Sequence, residues 1–175
     1  MTTPPLLELH KLNLVYRALP ALRDINWSVL QGQQWACLGP NGAGKTSLAR
    51  VLSAQATHFS GEFNRSQSLL ERGVSYVCFE QAKALCDRDR KLDDSEFRAD
   101  ASDPGTDVQA AILGGRAADA DFQHWVERLR IGHILRRGLR YIPTGEMRKP
   151  LLIRAILNNP ALLILHSPLD GLDPA

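Results

Sequence analysis

No part of the 175-residue chain approaches the run of about 18 consecutive apolar residues that crosses a bilayer. Met1 to Leu12 also lacks the basic-then-apolar order of a secretory signal, so the sequence predicts a cytoplasmic chain. Cysteine is scarce: Cys37, Cys78 and Cys86 have neither metal-ligand spacing nor an even count. That excludes a disulfide framework and predicts reduced thiols buried as packing residues. A surplus of one charge sign is missing too. With 21 basic against 19 acidic residues, the net charge of +2 supplies no broad positive field, and no nucleic-acid partner is expected. Internal repeats are absent. What remains is ordinary globular usage, 44% hydrophobic and 23% charged, in a chain about one domain long.

The N-terminal part reads as strands. In Asp24 to Val29, Ile25, Trp27 and Val29 alternate with polar residues, and a turn at LQGQQ precedes the short apolar run Trp35 to Leu38. An antiparallel start followed by a fully buried parallel strand is predicted. Leu48, Val51 and Leu52 then recur at helical spacing. VSYVCF, Val74 to Phe79, is a second buried-strand candidate. From Asp87 to Asp107 charges of both signs replace large apolar groups, which predicts a mobile loop. Asp121 is placed to cap a helix burying Phe122, Trp125, Val126 and Leu129, with VQAAIL as its partner helix. A further helix is expected from Glu146 to about Leu157, before the Asn159-Pro160 turn and a buried parallel strand in LLIL. The arginines between Arg128 and Arg140 read as a solvated face.

Chemistry enters at Gly39 to Thr46. GPNGAGKT fits G-x-x-x-x-G-K-[ST] between an expected strand and an expected helix. Glycines let backbone N–H groups curl around phosphate oxygens, and the helix directs its positive end at the same anion. Lys45 would bridge the outer phosphates, and Thr46 would offer its hydroxyl to Mg²⁺. The plain alternative is a glycine-rich turn matching by chance.

PNGAGKTSL resembles the phosphate loop of ATP-binding cassette (ABC) ATPases, and the remaining segments follow that family's order. The resemblance implies that ATP is held by Gly39, Pro40, Asn41, Gly42, Ala43, Gly44, Lys45, Thr46 and Ser47. Tyr16 would stack on adenine, and Gln81 in the Q-loop position would join Thr46 at Mg²⁺. In YIPTGEMRK, Ile142 to Glu146 occupy the signature positions, so Thr144, Gly145 and Glu146 would act on a partner's site. LLILHSPLDGLDP resembles the Walker B strand and D-loop, with Asp173 as the D-loop aspartate. FEQ, the polar insertion and T-G-E-x-R-K are most similar to a branch of the family that carries two cassettes in tandem and serves molybdenum transport. The implied partners are a second cassette, tandem or homodimeric, and a membrane permease.

The sequence departs from that pattern at the chemistry. His166 and Ser167 stand where the family has Asp and Glu, so no catalytic residue is intact. The imidazole supplies no charge to Mg²⁺, and serine is no base for the attacking water. Pro143 replaces the signature serine, and Pro150 falls inside the helix expected after it, where a kink would follow. The chain stops just past the D-loop, before the family's switch histidine, and an isolated chain is expected to aggregate, dimerise or partly unfold. The predicted fold is α/β: a P-loop NTPase core with a mainly parallel sheet, an N-terminal antiparallel β portion and a helical subdomain over about 82–157, together one incomplete cassette. The predicted function is ATP binding with impaired hydrolysis. The alternatives are a non-hydrolysing regulatory module and a P-loop phosphotransferase, which TGE and DGLD disfavour.

Overall fold

A computed structural model describes residues 4–56, 58–91, 105–143 and 145–167. They divide into two compact units, one within Met1–Tyr76 and Asn159–Ile164, the other within Val77–Asn158 and Leu165–Ala175.

The first unit is built on a leucine-rich hairpin. Strands β1 (Pro5–Tyr16) and β2 (Leu19–Leu30) pair antiparallel, and β3 (Phe59–Arg65) adds to the other side of β1 in the order β2-β1-β3. Leu7, Leu9, Leu12 and Leu14 of β1 are fully buried and join Leu22 and Val29 of β2 in one core. The ladder slips between Leu9 and Leu12, and side-chain amides meet the backbone there. The Lys11 N–H donates to Asn26 Oδ1 and the Asp24 N–H to Asn13 Oδ1, each at 2.9 Å. Helix α1 (Lys45–Leu52) lays Ala49, Val51 and Leu52 inward, with Leu48 packed against the same core. Helix α2 (Gln67–Arg72) is capped by Ser66, whose side chain accepts from the Leu69 N–H. Strands β4 (Val74–Val77) and β5 (Leu162–Leu165) form a second sheet. The bonds from Ala161 N–H to Gly73 O and from His166 N–H to Val77 O advance in the same direction along both chains, so the pair is parallel.

Two strand expectations are corrected here. The run Trp35 to Leu38 forms no strand, and Trp35 and Leu38 are 57% and 91% exposed. A run apolar on both faces is stable as a strand only between neighbours, and among the described residues nothing pairs with it. Trp35 instead sets its ring edge-on to Trp27 at 5.4 Å. Cys37, on the same run, is exposed rather than a packing residue, whereas Cys78 and Cys86 are buried as expected. The strand expected over Val74 to Phe79 ends at Val77, because Phe79 already opens a helix.

The second unit is helical. Helix α3 (Phe79–Lys91) carries Ala82 and Cys86 into a core shared with α4 (Val108–Leu113), α5 (Ala120–Arg128) and α6 (Arg148–Leu157). Asp87 to Lys91 therefore continue a helix, against the loop expected from Asp87 onward, while 92–104 lie outside the described residues. The hidden face of Ala82, Cys86 and Asp89 explains the extension: burial there repays ordering that composition alone does not reveal. The cap of α5 is Asp119, not Asp121. Its Oδ1 accepts the Phe122 N–H at 2.8 Å, and Asp121 sits in the first turn. Asp119→Ala is expected to cost about 1 kcal/mol, lowering the thermal midpoint of the chain by about 2 to 4 °C in a calorimetric scan. Pro150 lies within α6, which begins at Arg148, so proline occupies the first turn, whose N–H groups have no intrahelical partner anyway.

Candidate functional site

The phosphate loop is folded as a lysine-centred turn. Residues 39–44 carry no strand or helix, and the Ala43 N–H donates to Pro40 O at 3.2 Å to close a turn. Gly44 immediately precedes α1 in the left-handed conformation, φ 88°. A Cβ there would lie 2.7 Å from Ala21 O and 3.0 Å from Leu22 Cδ2, so only glycine lets the loop close against β2. Gly42 is also left-handed, φ 85°, but opens onto free space, where its cost to other residues is conformational alone. The Lys45 ammonium donates to Gly39 O at 2.8 Å and Pro40 O at 2.9 Å. The cation is thereby held across the loop's own mouth, at the place an anion would enter. Thr46 and Ser47 follow on the first turn of α1, half-buried, while Pro40, Asn41 and Ala43 are exposed.

Tyr16 closes β1, is 41% exposed and pairs with Leu19. Since Gly44 rests on Ala21 and Leu22 of β2, the tyrosine and the phosphate loop are mounted on one hairpin. Sequence spacing did not reveal that link, because Ala21 and Leu22 carry no motif and meet Gly44 only through tertiary packing.

The other expected site residues belong to the second unit. Gln81 is exposed, third in α3 rather than in the loop after a strand. The signature segment is a turn anchored on both sides. Ile142 and Met147 are buried, Pro143, Gly145 and Glu146 are exposed, and the Glu146 N–H donates to Pro143 O at 2.9 Å. Helix α6 starts later than the sequence suggests, with Met147 at its N-cap, so Gly145 and Glu146 precede the helix rather than open it. Thr144 and Asp173 lie outside the described residues. His166 is half-buried and donates its N–H to Val77 O at 2.9 Å, as a residue continuing a strand does. Ser167 is exposed and left-handed, φ 48°.

These donors suit the phosphates of a nucleotide better than its metal. An ammonium whose two partners are neutral carbonyls, on a turn closed by a glycine that no side chain could replace, fits an anion such as phosphate. Among the described residues no three His, Cys, Asp or Glu side chains gather into a metal site. Within the first unit, the Thr46 hydroxyl on the first turn of α1 is an oxygen donor of the kind Mg²⁺ takes, with phosphate and water able to supply further oxygens.

Residues 22–170 match the family described as ABC transporter. The ABC transporter ATP-binding protein ModF of Escherichia coli (strain K12) is 33% identical over 145 residues, covering 82% of this chain and 29% of ModF. The zinc import ATP-binding protein ZnuC of Haemophilus influenzae is 30% identical over 169 residues, covering 97% of this chain and 56% of ZnuC. The chain thus spans less than two thirds of the length of either relative. In fold it is similar to cbiO1 of Clostridium perfringens, part of the ABC transporter complex cbiONQ. The TM-score is 0.65 at 20% identity, over 98% of this chain and 68% of that one. An ATP-binding subunit of an ABC transporter gives 0.63 at 20% identity, over 97% and 69%. The mixed α/β architecture, with its antiparallel N-terminal sheet, its parallel strand pair and a phosphate loop leading into α1, is that of a P-loop NTPase. The family match runs from β2 to beyond β5, and the chain belongs to the ABC transporter family.

Proposed function

We propose that this chain is a single nucleotide-binding cassette, 1–175, which binds Mg-ATP through Gly39 to Ser47 and pairs with a second cassette while hydrolysing poorly. The observation that carries the reading is the Lys45 ammonium held over Gly39 and Pro40 at 2.8 and 2.9 Å, ready to exchange two carbonyl partners for phosphate oxygens. The carbonyl acceptors are neutral and phosphate oxygens anionic, so the exchange is favourable. Tyr16 offers an exposed ring for the base, and Thr46 and Gln81 supply the protein's share of the metal shell. The exposed turn Gly145-Glu146, with Thr144 and the D-loop Asp173, would face the partner cassette's phosphate.

Kinship supports the wider setting. Relatives named for ATP binding in transport suggest a membrane permease as the further partner and the cytoplasmic face as the location. The chain would belong to a ModF-like branch, with molybdate as its proposed cargo, on the 33% identity and the T-G-E-x-R-K signature. His166 and Ser167 favour one second reading, a module that binds nucleotide to regulate rather than to turn it over.

Titration with a fluorescent ATP analogue tests the binding claim. Lys45→Ala is expected to weaken affinity by about 1.5 to 3 kcal/mol, roughly 10- to 150-fold. Equal affinity in the two proteins would sink it.

A further inference from the structure

We infer that Asp89 and Arg140 are positioning residues for the turn at 142–146, a role that rests on reading that turn as a cassette signature. The Arg140 Nε donates to Asp89 Oδ2 at 3.2 Å, and its Nη2 donates to the Asp89 backbone carbonyl at 3.2 Å. Both side chains are almost fully buried, 4% and 6% exposed. The other carboxylate oxygen accepts the Thr106 N–H at 3.0 Å, and the Leu139 N–H donates to Thr106 O at 2.9 Å. One carboxylate therefore gathers the end of α3, the stretch 105–106 and the short 3-10 helix Leu139–Tyr141. The packing leaves no slack. A Cβ on Gly105 would stand 2.6 Å from both Arg140 Nη2 and Asp89 Oδ2.

Stability alone is a poor reason for such a pair. Desolvating two charges offsets most of their attraction, and an apolar pair of similar volume is often equally stable. What an apolar pair lacks is direction, whereas a guanidinium fork fixes both distance and rotation. That direction has a use here. Arg140 stands two residues before Ile142, the buried anchor from which the exposed turn departs. Asp89 lies about two turns along α3 from Gln81, which the cassette reading places at the metal. The pair makes the helix bearing Gln81 and the segment bearing the signature shift as one body.

Amide exchange on the 175-residue chain, followed by mass spectrometry, tests this. In Asp89→Leu/Arg140→Met the thermal midpoint should stay within about 5 °C of wild type. Exchange at 141–147 should rise about tenfold or more while α4 and α5 keep their protection. The milder Arg140→Lys keeps the charge, loses the fork and should raise exchange at the turn about threefold. Wild-type exchange at the turn in both variants would overturn the role, and so would loosening spread evenly over the whole unit. Adding ATP and Mg²⁺ to wild type separates the two claims. New protection at 39–47 is expected, and its absence would count against the cassette reading, whereas the positioning role stands or falls on the nucleotide-free comparison.

Discussion

Phosphate release by this chain with Mg²⁺ and ATP is expected to run about 10² to 10⁴ below that of a cassette with an intact Asp-Glu pair, since that is what a positioned general base typically supplies. The residues following β5 are His166 and Ser167, and neither provides a carboxylate. Without one, an attacking water would lack a base to take its proton, and a bound Mg²⁺ would lack a charged anchor in its outer shell. His166→Asp/Ser167→Glu should raise the rate. Ser167 already carries its Cβ at φ 48°, so glutamate there inherits the left-handed strain and adds none of its own. A steady-state phosphate assay checks both parts. Turnover by wild type at an ordinary cassette's rate would refute the impaired-site reading, whatever the double variant does.

Gly44→Ala should be the most damaging single change in the phosphate loop, more so than removing the lysine. Lys45→Ala deletes a ligand and leaves the fold intact, whereas a methyl at position 44 has nowhere to go. It would stand 2.7 Å from Ala21 O, a backbone atom of β2, while the φ of 88° adds left-handed strain. Strain of about 1 to 2 kcal/mol and overpacking of about 1 to 3 kcal/mol together predict a loss of roughly 2 to 5 kcal/mol, a large part of a domain's 5 to 15. Denaturant unfolding would measure it, and analogue binding should vanish in parallel. A midpoint equal to wild type with ATP affinity retained would show that the loop does not depend on its seat against β2. Gly42→Ala is the matched control: its φ is similar but its Cβ meets nothing, so only the conformational part should appear.

The sequence was legible where its signals are local. GPNGAGKT marks the turn that leads into α1 through residue types at fixed spacing, and the α5 face of Phe122 and Val126 follows from helical periodicity. HS after LLIL is a local pattern too, and the proposed loss of a base rests on it. Caps were only half legible. Asp119 and Asp121 are both plausible from composition, and the choice depends on which backbone N–H the turn presents.

The rest depended on contacts between residues far apart in the chain. Trp35 to Leu38 carries the pattern of a buried strand, yet no neighbour pairs with it among the described residues, because a strand exists only through its ladder. Composition marked Asp87 to Lys91 as loop, while the tertiary structure made it helix by giving Asp89 a buried partner 51 residues away. Gly44 shows both sources at once. The motif requires glycine for its backbone, but its exclusion of every side chain comes from Ala21 and Leu22, which only folding brings alongside. Local patterns thus carried the type of chemistry, and the positions from which it can act came from packing, whose energy depends on pairs that no single stretch of sequence contains.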